Sequence, residues 1–244
     1  LWLTVGLGAG VIAASADYRT LARPKVTRWL LVVAFGLLIL VLIPGIGSKV
    51  NGARRWLLFF QPSEFAKLAL VIWLSAYGAD HLGEMRKRHP GFLVPMTVIG
   101  GLAGLVFLEP DWGTAMLIAA LGMVLIAVAG AHWGYLLAAG IVAAELFTLA
   151  LCQNPERLAR VLSFLDPEAY KDNVGWQPWN ALLALGCGEW LGEGLGRGRL
   201  KLGFIPEHHT DFILAVIGEE LGLLGTGVVL VCYAIILVCG LRIA

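Results

Sequence analysis

Pro206-Glu207-His208-His209-Thr210-Asp211-Phe212 closes a polar, glycine-dense stretch and leads straight into the apolar run Ile213 to Leu241. That junction decides the fold. Beyond about 18 residues an apolar run reads as a bilayer-crossing helix, because a helix satisfies its own backbone hydrogen bonds in hydrocarbon. Acidic, imidazole and hydroxyl side chains are thereby gathered at a membrane boundary, in a chain that carries little charge elsewhere.

Working outward, six more apolar segments approach spanning length: Leu1–Ala16, Trp29–Gly47, Glu64–Ala79, Phe92–Leu108, Gly113–Gly130 and His132–Leu151. With Phe212–Leu241 they make about seven spans, and no soluble domain interrupts them. The composition agrees. Of 244 residues 59% are hydrophobic and 14% charged, with a mean hydropathy of +0.80. Soluble domains average about 25% charged residues. The expected fold is therefore all-α, a polytopic transmembrane bundle forming one domain over residues 1–244. A net charge of +1, with no clustered basic stripe, excludes nucleic acid as a partner. Cys152, Cys187, Cys232 and Cys239 show no metal or redox spacing. The chain is already apolar at Leu1, without a signal sequence, and reads as a fragment of something longer.

Loop charges set the orientation. Arg19, Arg23, Lys25 and Arg28 lie between the first two spans, Arg86, Lys87 and Arg88 between the third and fourth, and Arg242 after the last. All fall on one side, the expected cytoplasmic face. The Ser48–Gln61 loop, the Glu109–Trp112 turn and the long 152–211 loop are then extracytoplasmic. Lys49, Arg54 and Arg55 run against this bias and ask for a separate reason. The long loop is rich in Trp, Gly and Leu, which suits a folded cap better than disorder. Ala181–Leu185 suggests a short helix or re-entrant segment within it, broken at Gly186-Cys187-Gly188.

Several constellations could carry chemistry. Gln61-Pro62-Ser63-Glu64-Phe65-Ala66-Lys67 has the marks of a helix start, and Glu64 and Lys67 share a face at i, i+3. They form either a structural ion pair or part of an anion site. In Glu109-Pro110-Asp111-Trp112-Gly113-Thr114, Asp111 is placed to cap the next helix. Glu145 falls mid-span, where an acid requires a partner or water. The segment Gly186 to Gly203 contains neither nucleotide-binding glycine fingerprint, so Arg197, Arg199 and Lys201 read as a cationic lip. His208, His209 and Asp211 lack metal-site spacing, and no metal ligands are assigned. Asp211 can cap the last span and can equally accept a proton. Gly218, Gly222 and Gly225 recur at i, i+4 and i+7 as a smooth stripe for close packing, with Glu219 and Glu220 beside it.

Taken in order, Asn51-Gly52-Ala53-Arg54-Arg55-Trp56, Gln61 to Lys67, Glu109 to Thr114, Pro206 to Phe212 and Gly218-Glu219-Glu220-Leu221-Gly222 resemble the SEDS family of bacterial cell-wall synthases, the RodA/FtsW/SpoVE group. The resemblance covers essentially the whole chain. It implies a ten-span protein of which this chain holds the second through eighth, without the first and the last two.

It further implies a multi-pass protein of the bacterial cytoplasmic membrane that polymerises lipid II on the outer face. The 4-hydroxyl of the acceptor's N-acetylglucosamine attacks the anomeric carbon of the donor's N-acetylmuramic acid, with inversion, and undecaprenyl diphosphate leaves. The family's loop aspartate maps onto Asp211 as catalytic base. Its arginine maps onto Arg55 and its acid–lysine pair onto Glu64 and Lys67. Arg54, Asp111, Gln177, Glu207, His209 and Thr210 complete the expected substrate-binding set. No cofactor is certain, and a divalent cation, Mg or Mn, is compatible with the diphosphate. The implied partners are lipid II, membrane lipid and a class B penicillin-binding protein acting as transpeptidase. Departures fall in the loops: the linker from Trp56 to Gln61 is short, Gly175-Trp176-Gln177 is followed by Pro178-Trp179-Asn180, and Gly186-Cys187-Gly188 replaces Ser-Gly-Gly. Two alternatives stand beside this expectation: a flippase for lipid-linked precursors, and a non-catalytic scaffold of the elongation or division machinery.

Overall fold

In the computed structural model the described residues are 2–15, 17–45, 47–50, 53–57, 60–198 and 212–243. The chain forms two compact units, Leu1–Ala143 and Ala144–Ala244. Its helices are α1 (Trp2–Ser15), α2 (Tyr18–Leu21), α3 (Pro24–Leu42), α4 (Pro62–Asp80), α5 (Leu93–Leu108), α6 (Trp112–Val128), α7 (Trp133–Cys152), α8 (Pro155–Leu165), α9 (Trp176–Cys187) and α10 (Ile213–Ile243). The protein is thus a polytopic helical membrane protein, and seven of these helices coincide with the seven expected spans. The segments Pro24–Leu42, Arg88–Leu108, Trp133–Cys152 and Ile213–Arg242 are long and apolar enough to cross a membrane, whereas Thr4–Ser15 and Trp112–Val128 are shorter. Glu145 lies exposed midway along α7.

The core of the first unit is where α3, α4, α5 and α6 meet, and Leu38, Leu70, Leu102 and Ile118 are fully buried there. In lipid, helices associate by packing fit rather than by escape from water, so small residues at the seams matter. A Cβ on Gly122 would stand 2.6 Å from Ile99 Cδ1, and one on Gly78 2.9 Å from the Ala129 methyl. These glycines let α6 close onto α5 and onto α4.

The Ser48–Gln61 loop holds something the apolar pattern did not announce. Strands β1 (Ser48–Val50) and β2 (Ala53–Trp56) pair antiparallel, with Val50 opposite Ala53 and Lys49 opposite Arg54. β2 packs on α3 and α4, so the hairpin sits over the end where α3 stops and α4 starts.

In the second unit the described part of the long loop, up to residue 198, holds two helices, as its composition implied. Asn154 caps α8 by accepting a hydrogen bond from the Arg157 amide at 3.3 Å. The short helix expected at Ala181–Leu185 is longer, spanning α9, and it stops at Gly188. The last span requires a correction. α10 is not one continuous helix: at Gly222 the backbone turns to φ 66°, ψ −162°, a conformation reserved for glycine. The groups freed by the break are taken up by the segment after α9. The Leu223 amide donates to the Glu189 carbonyl at 2.8 Å and the Leu224 amide to that of Trp190 at 3.2 Å. In return the Glu193 amide donates to the Glu219 carbonyl at 2.9 Å and the Gly194 amide to that of Glu220 at 3.1 Å. Two backbones can approach so closely only without side chains. A Cβ on Gly188 would fall 1.8 Å from the Gly218 carbonyl oxygen, and one on Gly192 2.2 Å from that of Glu220. The Gly218/Gly222/Gly225 stripe is therefore no smooth face for another helix or a lipid chain. Its first two glycines receive the 188–194 segment.

Candidate functional site

Where the hairpin covers the helix ends, polar side chains collect. Asp111 starts α6 as its N-cap, accepting from the Thr114 amide at 3.3 Å, so the capping expected from sequence is present. The same carboxylate accepts a hydrogen bond from Gln61 Nε2 at 3.3 Å and lies 3.9 Å from Arg55 Nη1. Arg55 Nη2 donates to the Pro110 carbonyl at 3.0 Å. One guanidinium on the hairpin thus binds the α5–α6 turn through both backbone and charge. Gln61, the N-cap of α4, brings the start of that helix to the same carboxylate.

The cation is not used up by these contacts. Arg55 keeps 36% of its side chain exposed, Asp111 only 11%. Arg54, next to it on β2, is half-buried and pairs across the strands with Lys49. One turn into α4, Glu64 accepts a hydrogen bond from Lys67 Nζ at 2.8 Å, the i, i+3 pair expected from the spacing. Glu64 is mostly exposed and Lys67 largely covered, so the lysine ammonium is held near the start of the helix by its acidic partner.

Desolvation marks the same end. Among the described residues, every buried side-chain polar atom of the first unit without a hydrogen-bond partner lies here: Arg55 Nε, Ser63 Oγ and both carboxylate oxygens of Glu109. Glu109 follows α5, outside the membrane-spanning segments, and is fully buried. Burial, with the Asp111 carboxylate adding to it and Arg55 opposing, pushes its carboxyl up to about 8.

Of the expected site residues, the structure brings together Arg55 and Asp111 and places the Glu64–Lys67 pair one turn further along α4. It does not bring Arg54 into that cluster. Gln177 lies in the first turn of α9, half-buried, in the second unit. Glu207, His209, Thr210 and Asp211 lie outside the described residues. Gln61 and Glu109 were not among the expected site residues, although both fall inside the motifs that carry the family resemblance. Their only sequence signal was a polar side chain at the boundary of an apolar run.

The whole sequence, residues 1–244, matches the FtsW/RodA/SpoVE family, described as "Cell cycle protein". The chain belongs to that family. Relatives in the FtsW group include "Probable peptidoglycan glycosyltransferase FtsW" of Thioalkalivibrio sulfidiphilus, 45% identical over 92% of this chain and 58% of its own length. The protein of the same name from Trichlorobacter lovleyi is 39% identical over 100% of this chain and 65% of its own. The chain therefore spans roughly three-fifths of these FtsW relatives. Among solved structures, one described as "Structural coordination of polymerization and crosslinking by a peptidoglycan synthase complex" superposes with a TM-score of 0.70 at 28% identity, over 97% of this chain and 66% of that one. The rod shape determining protein RodA of Thermus thermophilus superposes with a TM-score of 0.60 at 26% identity, over 96% and 62%.

Proposed function

We propose that this chain is the core of a membrane peptidoglycan glycosyltransferase that polymerises lipid II at the extracytoplasmic face. Arg55 carries the proposal. It is a partly exposed guanidinium anchored to Pro110 and Asp111 over the ends of α4, α5 and α6, with donors to spare for an anion. Glycosyl transfer from a lipid diphosphate needs such a group, because negative charge builds on the leaving diphosphate as the glycosidic bond forms. Two FtsW relatives named peptidoglycan glycosyltransferases, and a structural neighbour named for a peptidoglycan synthase complex, support the same reaction class.

In this scheme the acceptor's 4-hydroxyl oxygen bonds to the donor's anomeric carbon while the bond from that carbon to the diphosphate oxygen breaks. The hydroxyl proton passes to the Asp211 carboxylate, and the electron pair leaves with undecaprenyl diphosphate, whose charge Arg55 and the Lys67 ammonium balance. Glu64 orients Lys67. Asp111 holds Arg55 and caps α6. Gln177, Glu207, His209, Thr210 and Arg54 complete the sugar and diphosphate contacts. A divalent cation at the diphosphate would need acidic or imidazole donors, and the Asp111 carboxylate is already engaged by Gln61, the Thr114 amide and Arg55. No step is assigned to a metal. The synthase-complex neighbour, described by polymerization and crosslinking, supports a crosslinking partner, which we read as a class B penicillin-binding protein acting on the glycan strands released here.

The test is polymerisation of labelled lipid II by the full-length protein with its transpeptidase, comparing the native form with Asp211→Asn. Glycan strands from the native form alone are expected. Equal polymer from both would remove Asp211 as base. Lipid movement across the bilayer without polymer would replace the enzyme by a flippase.

A further inference from the structure

Glu109 has no part in the chemistry above, yet it is the most confined acid at this end of the first unit. It is fully buried, and neither of its oxygens has a hydrogen-bond partner among the described residues. A buried carboxylate without hydrogen bonds is strongly disfavoured, so the fold favours the neutral acid. Among the described residues the charges that act on it are Asp111, from the α6 cap, and Arg55, from the hairpin. The first turns of α4, which packs on α5, carry Glu64 and Lys67, paired with each other. The adjacent last turns of α3 (Ile39–Leu42) and α5 carry no charge.

We propose that Glu109 is a positioning residue for the Arg55 anion subsite: as a neutral acid it leaves the guanidinium able to take a lipid-linked diphosphate, and as a carboxylate it competes with that anion and closes the subsite. Arg55 has one carboxylate within ion-pair reach, Asp111 at 3.9 Å, and a side chain still 36% exposed. Its Nε is buried and has no acceptor. A second ionised carboxylate beside it would satisfy the cation from within the protein, and the substrate would meet a neutralised site. A glutamine at 109 would fill nearly the same space without ever ionising. The role rests on Arg55 being the diphosphate contact.

The test uses full-length protein in lipid nanodiscs and undecaprenyl diphosphate as the probe, with the dissociation constant measured at pH 7 and pH 9 for the native form, Glu109→Gln and Arg55→Ala. Affinity scales with the fraction of protein in the competent state, so ionisation centred near pH 8 weakens native binding about tenfold between these pH values. Glu109→Gln should show only the probe's own titration, so dividing the native pH 9/pH 7 ratio by that of Glu109→Gln isolates the effect of Glu109. An equal alkaline loss in native and Glu109→Gln protein overturns the role of Glu109, as does native binding independent of pH. If Arg55→Ala binds as tightly as the native form at pH 7, Arg55 is not the contact and the subsite falls with it. If Arg55→Ala weakens binding while Glu109→Gln keeps the alkaline loss, only the role of Glu109 is overturned.

Discussion

The two ends of chemical interest in this protein are held together by opposite means. In the first unit, charged and polar side chains tie a hairpin to three helix ends: Arg55 to Pro110 and Asp111, Gln61 to Asp111, and Asp111 to the amide of Thr114. In the second unit, the segment after α9 locks into the break of α10 through four backbone hydrogen bonds, at glycines that contribute no atoms beyond the main chain. The first arrangement leaves charge available and can be adjusted one side chain at a time. The second leaves no room for adjustment. Side-chain cages suit a place where an anion must come and go, and a backbone lock suits the foundation of the loop that leads to Asp211.

The difference should be largest when the lock itself is altered. Gly222→Ala combines a glycine-only conformation with a Cβ 2.5 Å from the Gly192 nitrogen, a backbone atom that cannot step aside. A loss of about 3 kcal/mol or more is expected, read as a lower melting temperature and a smaller monodisperse fraction in detergent. Gly186→Ala, on α9 with open space around it, should stay within about 0.5 kcal/mol.

The next effect carries the opposite sign. With a folded-state value of about 8 against an ordinary 4.5, the folded protein holds a proton that the unfolded chain has released between those pH values. Stability tied to Glu109 is thus fully present below pH 4.5 and is lost as pH rises toward 8. Glu109→Gln removes that loss and should stabilise the protein on the order of 4 kcal/mol at pH 8. Melting curves at pH 4 should show no gain.

Asp111→Ala removes a helix cap and the acceptor of Gln61 and Arg55, for a cost of about 1–2 kcal/mol. Lys67→Met breaks a single partly exposed i, i+3 pair and should cost about 0.3–0.5 kcal/mol in stability. If Lys67 also contacts the diphosphate, the polymerisation rate falls far more than the melting temperature. Equal small changes in both would leave Lys67 a structural partner of Glu64 alone.

This contrast also explains what could be read from sequence. The spans were legible because apolar runs bounded by Pro24, Pro62 and Asp111 declare their own helices. The Glu64–Lys67 pair and the Asp111 cap follow from spacing of three residues. Arg55 could be placed on the hairpin-bearing loop, but not its grip on the Pro110 carbonyl 55 residues away. The hairpin had a signal, Asn51-Gly52 between short extended runs, which the surrounding apolar pattern concealed. Glu109 was hidden because its burial depends on what covers the helix end, and local spacing does not encode that. Gly222 was hidden for a different reason. A glycine in an apolar run reads as a packing surface until the backbone reveals that it is a break.

The most direct test of the Arg55-centred site is the concentration dependence of lipid II polymerisation by the full-length protein and its transpeptidase, native against Arg55→Ala. Loss of one charge-assisted contact to the diphosphate should raise KM about tenfold or more, with a smaller change in kcat. An unchanged KM in a folded Arg55→Ala protein would contradict it.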